Sequence, residues 1–228
     1  MTSAHLLDQP ARSALSGRHA RFAIVRGTAR RYHPAYGVFA SVEDRSEASF
    51  AALAALVAEH GDVALLEADA PAVTSGLAAV SQDVGVQMIA HQLRPSAPAG
   101  LAVTPLGDAD APDMLALATL TEPGPFFEKT HRLGDFVGVR AGGQLVAMAG
   151  ERMKPDGFTE VSGVCTHPEH RGRGYAATLM RHVAARILAR GETPFLHAYA
   201  TNHAAIALHQ RLGFTLRREI LMTRLTAA

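Results

Sequence analysis

The stretch "VCTHPEHRGRGYAATLM", residues 164–180, constrains the chain more than any other. Val161, Val164 and Cys165 mark an apolar run that Pro168 ends. Two arginines interleaved with two glycines follow. Then comes an alanine-rich helical pattern with Leu179, Met180, Val183, Ile187 and Leu188 at its apolar positions. Gly172 and Gly174 lack a Cβ, so the backbone between strand and helix can curl and its N–H groups can converge. The helix adds its unpaired N–H groups and the positive end of its dipole. Arg171 and Arg173 add charge and bidentate donors. Together these parts suit a diphosphate. The plainer alternative is an exposed turn that binds nothing.

The 228 residues, 48% of them hydrophobic, suffice for one large domain or two small ones. Residues 1–20 read as polar and irregular. Strands are predicted over 21–25, 36–42, 62–68 and 86–93, and helices over 46–61 and 71–80. "RPSAPAG" (94–100) is the best linker, dividing an accessory region, 1–95, from a second unit, 101–228. In that unit a strand is predicted over 101–107, a helix over 108–121 and two strands over 135–153 joined at Gly142-Gly143. A strand over 158–166, a helix from 174 to about 190, a strand over 193–200, a helix over 203–212 and a final strand over 214–226 complete it.

A formal net charge of +1 and 19% charged residues argue against a nucleic-acid coat or a disordered tail. A single cysteine, Cys165, excludes an internal disulfide framework and fits a reducing cytoplasm. No signal-like segment and no window of membrane-spanning length are visible. The expectation is a soluble cytoplasmic protein with no nucleic-acid or membrane partner; a homodimer stays open. His167, His170, His197 and His203 lack a converging set of further ligands, so no metal is expected. "GRGYAA" (172–177) matches a dinucleotide fingerprint formally. However, "HPEHR" separates the strand from the glycines, and the next strand ends without an acid. A nicotinamide-dependent oxidoreductase therefore ranks low, and a P-loop is excluded because no Lys-Ser/Thr closes the glycine run.

Arg171-x-x-Gly174-x-Ala176 resembles the Q/R-x-x-G-x-G/A signature of the GNAT superfamily of acyl-CoA-dependent N-acetyltransferases. "NHAAIALHQRLGF" (202–214) resembles the second signature of that family, and the resemblance covers 101–228. It implies an α/β fold, a central mixed sheet flanked by helices, with the motif strand splayed from the next at the cofactor site. It implies acetyl-CoA as co-substrate, no metal, and direct acetyl transfer to a primary amine of a small molecule, an amino acid or a peptide. The first half would be a degenerate copy of the fold or an accessory lid. A non-catalytic acyl-CoA-binding module is the alternative.

The resemblance also implies roles. Val164, Cys165 and Thr166 would contact the pantetheine arm; Arg171, Gly172, Arg173, Gly174, Tyr175 and Ala176 would hold the diphosphate. Asn202 would cap its helix and face the pantetheine. Glu160 is the first candidate base, at the offset before the arginine where several family members carry theirs, and Glu151 is the reserve. A solvated glutamate at a strand entry is the plain reading of Glu160. His209 stands where the family usually has tyrosine, either as acid to the leaving thiolate or simply packing. Cys165 reads better as a small buried filler than as a nucleophile. Phe126 and Phe127 either wall the acceptor pocket or pin their loop to the core.

Overall fold

Glycine and apolar patterning set the second half of the chain as expected. The computed structural model describes residues 5–71, 76–95 and 100–228. Strands β7 (Phe136–Ala141) and β8 (Gln144–Glu151) form a hairpin, with Gly142 and Gly143 at φ 58° and 85° as a tight Gly-Gly turn requires. β9 (Phe158–Thr166), α4 (Tyr175–Ala189), β10 (Thr193–Tyr199), α5 (His203–Leu212) and β11 (Thr215–Ala227) follow the sequence reading closely. So does α3 (Ala111–Thr121), entered through a short turn at Asp108–Asp110, whereas β6 (Thr104–Leu106) is shorter than the strand predicted over 101–107. Alternation along β8 puts Ala147 and Ala149 in the cluster under α4 and Met148 in the cluster under α3. The two helices thus cover opposite faces of this part of the sheet.

The first half holds β1 (Ala23–Arg26), β2 (Ala29–Tyr32), β3 (Phe39–Val42), α2 (Glu47–His60), β4 (Val63–Glu67) and β5 (Leu77–Ile89). Ser46 caps α2 by accepting from the Ser49 N–H, and the helix buries Phe50, Leu53, Leu56 and Val57 as its spacing predicts. Three expectations are corrected. A helix, α1 (Pro10–Ser16), lies in the region read as irregular; its inward residues are mostly small, so the pattern is faint. β2 was not foreseen. Residues 77–80, predicted helical, begin β5, because pairing with β11 outweighs local propensity. The rest of that predicted helix at 72–75, and 96–99 of the linker, lie outside the described residues.

Among the described residues, one eleven-stranded mixed sheet runs β1-β2-β3-β4-β11-β5-β10-β9-β8-β7-β6. The pairs β3–β4 and β9–β10 are parallel, and the others antiparallel. β5, from the first half, lies between β10 and β11 of the second. One hydrophobic cluster joins Leu7, Leu15, Tyr32 and Phe39 to Leu133, Met153, Phe195 and Ile220, so the core also crosses the chain's midpoint.

Candidate functional site

β9 and β10 pair only at one end, through Thr193↔Phe158, Pro194↔Thr159 and Phe195↔Glu160. Beyond that point the two strands run on to Thr166 and Tyr199 without pairing to each other. A bulge bends β9: its register against β8 jumps from Cys165 opposite Met148 to Ser162 opposite Gly150. Gly163 sits in the bulge at φ 61°, where an added Cβ would come within 2.9 Å of the Phe136 ring. A fork of this kind leaves main-chain donors and acceptors along one strand edge available to a ligand. A cavity of about 250 Å³ occupies the fork; Ser162, Gly163 and Val164 line it from β9, and Asn202, Ala205 and His209 from one face of α5.

The Arg/Gly loop follows β9 through a turn at Pro168–His170. Gly172 and Gly174 take φ 78° and 79°, and at neither would an added Cβ meet a protein atom within 4 Å. Gly174 is the N-cap of α4 and supplies no capping side chain, so the first-turn N–H groups face an open cradle. Arg171, Arg173 and both glycines are exposed, and Tyr175 and Ala176 open the helix half-buried. Thr166 Oγ1, His170 Nδ1 and His209 Nδ1 are buried and have no hydrogen-bond partner in the protein. A glycine loop at an uncapped helix terminus is an arrangement at which an anion is favoured. Asn202 Oδ1 accepts from Ala205 N at 3.1 Å, the cap its position predicted.

Glu160 lies at the vertex of the fork, fully buried, and does not fit a general base. Arg152 grips it through Nε and Nη2 at 2.9 and 2.8 Å, and Met153 N adds a bond at 3.2 Å. Burial alone would raise its pKa, but the guanidinium and His197 outweigh it and hold the carboxylate far below its ordinary range. A base so weak cannot collect an ammonium proton efficiently near neutral pH. Gln87 Nε2 donates to Leu7 O at 2.8 Å, and Arg217 Nη1 donates to Gln87 Oε1 at 2.8 Å, fixing the amide's orientation. Gln87 Nε2 therefore also donates to His197 Nε2 at 2.9 Å, and His197 must donate from Nδ1 to Glu160 Oε1 at 2.8 Å. Arg217 is anchored in turn on Asp8 at 2.6 Å. A single polar chain thus runs from the fork to the N-terminal segment.

The reserve base fails likewise: Glu151 is buried against Lys154 and Arg190, each at 2.7 Å, and these cations outweigh burial to keep its pKa low. Cys165 faces away from the cavity, among Met114, Leu117 and Met148, and burial pushes its thiol up to about 11. It is a filler, and any pantetheine contact would run through its main chain. Phe126 packs edge-on against Phe136 at 5.7 Å and pins the loop, while Glu122–Pro125 line the cavity in its place. Among the described residues, no group of three or more metal-ligating side chains gathers, and no helix is long and apolar enough to cross a membrane.

Burial pushes the His209 imidazole down to about 4, and burial with the nearby Lys154 does the same to His19. Both are neutral in the folded protein at pH 7, whereas in the unfolded chain each takes up a proton below about pH 6.5. Their stabilisation is full above about pH 6.5 and is lost as the pH falls through about 4, costing about 2 kcal/mol per histidine at pH 5. Urea midpoints should drop between pH 7.5 and pH 5. In His209→Gln the drop should be visibly shallower; an unchanged slope would refute the assignment.

A solved structure assigned to the GNAT acetyltransferase family, from Novosphingobium aromaticivorans DSM 12444, matches with a TM-score of 0.91 and 43% identity, over 99% of this chain and 100% of that one. The chain belongs to the GNAT family of acetyltransferases. A family model described as FR47-like protein matches residues 136–222, the span from β7 into β11. N-alpha-acetyltransferase RimI of Mycobacterium tuberculosis is 36% identical over 83 residues, a match covering 35% of this chain and 51% of that protein. The chain thus spans about half the length of this curated relative. A GCN5-related N-acetyltransferase from Kribbella flavida shares the fold, at TM-score 0.66 and 20% identity over 99% of this chain and 96% of that one.

The GNAT signatures located the loop, Asn202 and His209, but not the bulge at Gly163. The signal for it was a glycine inside an otherwise β-branched and polar strand. The Arg152–Glu160–His197–Gln87 chain was also missed, because its members come together only through tertiary pairing.

Proposed function

We propose that this GNAT protein transfers the acetyl group of acetyl-CoA directly to a primary amine. The observation that carries the reading is the parting of β9 from β10 at Glu160/Phe195, with the open glycine cradle at the head of α4 beyond it. Gly172 to Ala176 and the two arginines would hold the diphosphate, and the free edge of β9 from Ser162 to Thr166 would bind the pantetheine arm. Acetyl-CoA supplies an activated thioester. Main-chain N–H groups along the bulged edge are the donors available to the negative charge that develops on its carbonyl oxygen as the amine attacks. With both candidate glutamates committed to cations, the ammonium loses its proton to water at the cavity mouth. An ordinary alkyl ammonium, pKa about 10.4, is deprotonated in only about one molecule in a few thousand at pH 7, so this step limits the rate at low pH.

His209 faces the thiol end as a neutral imidazole. It is a poor source of protons but can donate a hydrogen bond to the leaving thiolate. Such bonds to charged groups contribute about 1.5–3 kcal/mol. His209→Ala should therefore lower kcat by roughly tenfold or more, with little change in the KM for acetyl-CoA. Undiminished kcat would remove His209 from the mechanism.

Calorimetric titration with acetyl-CoA, followed by CoA release with an amine panel, tests the proposal. Binding without release would favour a non-catalytic acyl-CoA module. Stabilisation by NAD(P) and not by acetyl-CoA would favour the oxidoreductase reading.

A further inference from the structure

The cavity reaches past the fork into the first half of the chain. Phe39 of β3 and Leu66 of β4 line that side together with Ile220 and Met222 of β11, so its wall is apolar. Two carboxylates also line it: Asp83 on β5 and Glu122 at the left-handed end of α3. Among the described residues neither belongs to an ion pair. Among the described residues that line it, the one cation, Arg152, has Nε and Nη2 committed to Glu160 and its guanidinium stacked 4.8 Å from the centre of the Phe39 ring.

The Arg152–Glu160 charges cancel, so the carboxylates of Asp83 and Glu122 leave the cavity net negative. An ammonium group is attracted there. A carboxylate is repelled, and among the described lining residues it finds no cation to pair with.

We infer that the acceptor is a primary ammonium joined to an apolar body, with no carboxylate beside the nitrogen, and that Asp83 selects it. Simple aliphatic or aromatic amines meet that description, and so does the apolar N-terminal residue of a peptide; a free amino acid does not. This rests on the acetyl-transfer reading above.

The matched pair L-leucinamide and L-leucine tests it, assayed at saturating acetyl-CoA beside isoamylamine and an amidated leucyl-glycyl-glycine. Leucinamide should exceed leucine in kcat/KM by about tenfold, on the scale of like-charge repulsion at a half-exposed site. Preference between isoamylamine and the peptide tells a small amine from a peptide terminus. Asp83→Asn should raise the KM for leucinamide about tenfold, leave the KM for acetyl-CoA unchanged and narrow the leucinamide-to-leucine ratio. A purely structural role for Asp83 would not move that ratio. Leucine acetylated as well as leucinamide, or an unchanged ratio in Asp83→Asn, overturns the inference alone; acetyl-CoA bound with no amine acetylated overturns the transfer reading beneath it. Failure to bind acetyl-CoA at all overturns that reading too.

Discussion

Glu160→Gln is expected to lower the melting temperature by roughly 10 °C, not merely to slow turnover. The substitution keeps shape and removes charge, leaving Arg152 buried at the vertex of the fork without its bidentate partner. Removing one member of a buried ion pair costs about 3–5 kcal/mol, and each kcal/mol moves the midpoint of a chain this size by about 2–4 °C. His197 loses its acceptor's charge in the same step. A second substitution, Arg152→Met, should recover part of the loss, because it removes the buried charge left without a partner. A catalytic base would behave otherwise: thermal stability would hold while kcat collapsed. Calorimetric scans of the single and double variants, beside their kcat values, separate the two outcomes.

Gly174→Val is expected to weaken acetyl-CoA binding by about 100-fold, or about 2.7 kcal/mol. Two effects contribute. The residue sits at φ 79°, where a non-glycine costs about 1–2 kcal/mol, and the isopropyl group projects into the space at the helix terminus where no protein atom lies within 4 Å. Gly174→Asn separates them, since asparagine tolerates the left-handed region but still fills that space. If Gly174→Asn keeps a near-native melting temperature yet binds acetyl-CoA poorly in calorimetry, the space belongs to the ligand. Native affinity in both variants would move the diphosphate elsewhere.

The second half of the chain was legible because its signals are local. Gly142-Gly143 announces a hairpin, Asn202 a cap, and Leu179, Met180, Val183, Ile187 and Leu188 an apolar helix face; the first four are buried and Leu188 is half-buried. The first half was less so. Pro10, Ala11 and Ala14 are too small to stand out as the inward face of α1, although each is buried. Leu77–Val80 was read as part of a helix, and only the pairing of residues 77–79 with 225–227 of β11 makes it a strand. The site divides along the same line. Gly172, Gly174 and Asn202 act through their own backbone or the adjoining helix, which sequence spacing shows. Glu160 was placed correctly on its strand, but its ionisation is decided by Arg152 and His197, and His197 is oriented by Gln87 from across the chain. Asp83 could not be seen at all until β5 was known to lie beside β10.

The position of β5 has a consequence for how the protein is made. A ribosome releases this thirteen-residue strand long before either of its neighbours, β10 and β11, has been synthesised. The nascent chain therefore carries a strand segment with both edges bare, a state prone to pairing with other chains. The cavity at the fork is incomplete until β10 and β11 emerge and pair with that strand, so maturation is a late event that chaperone supply and translation speed should influence.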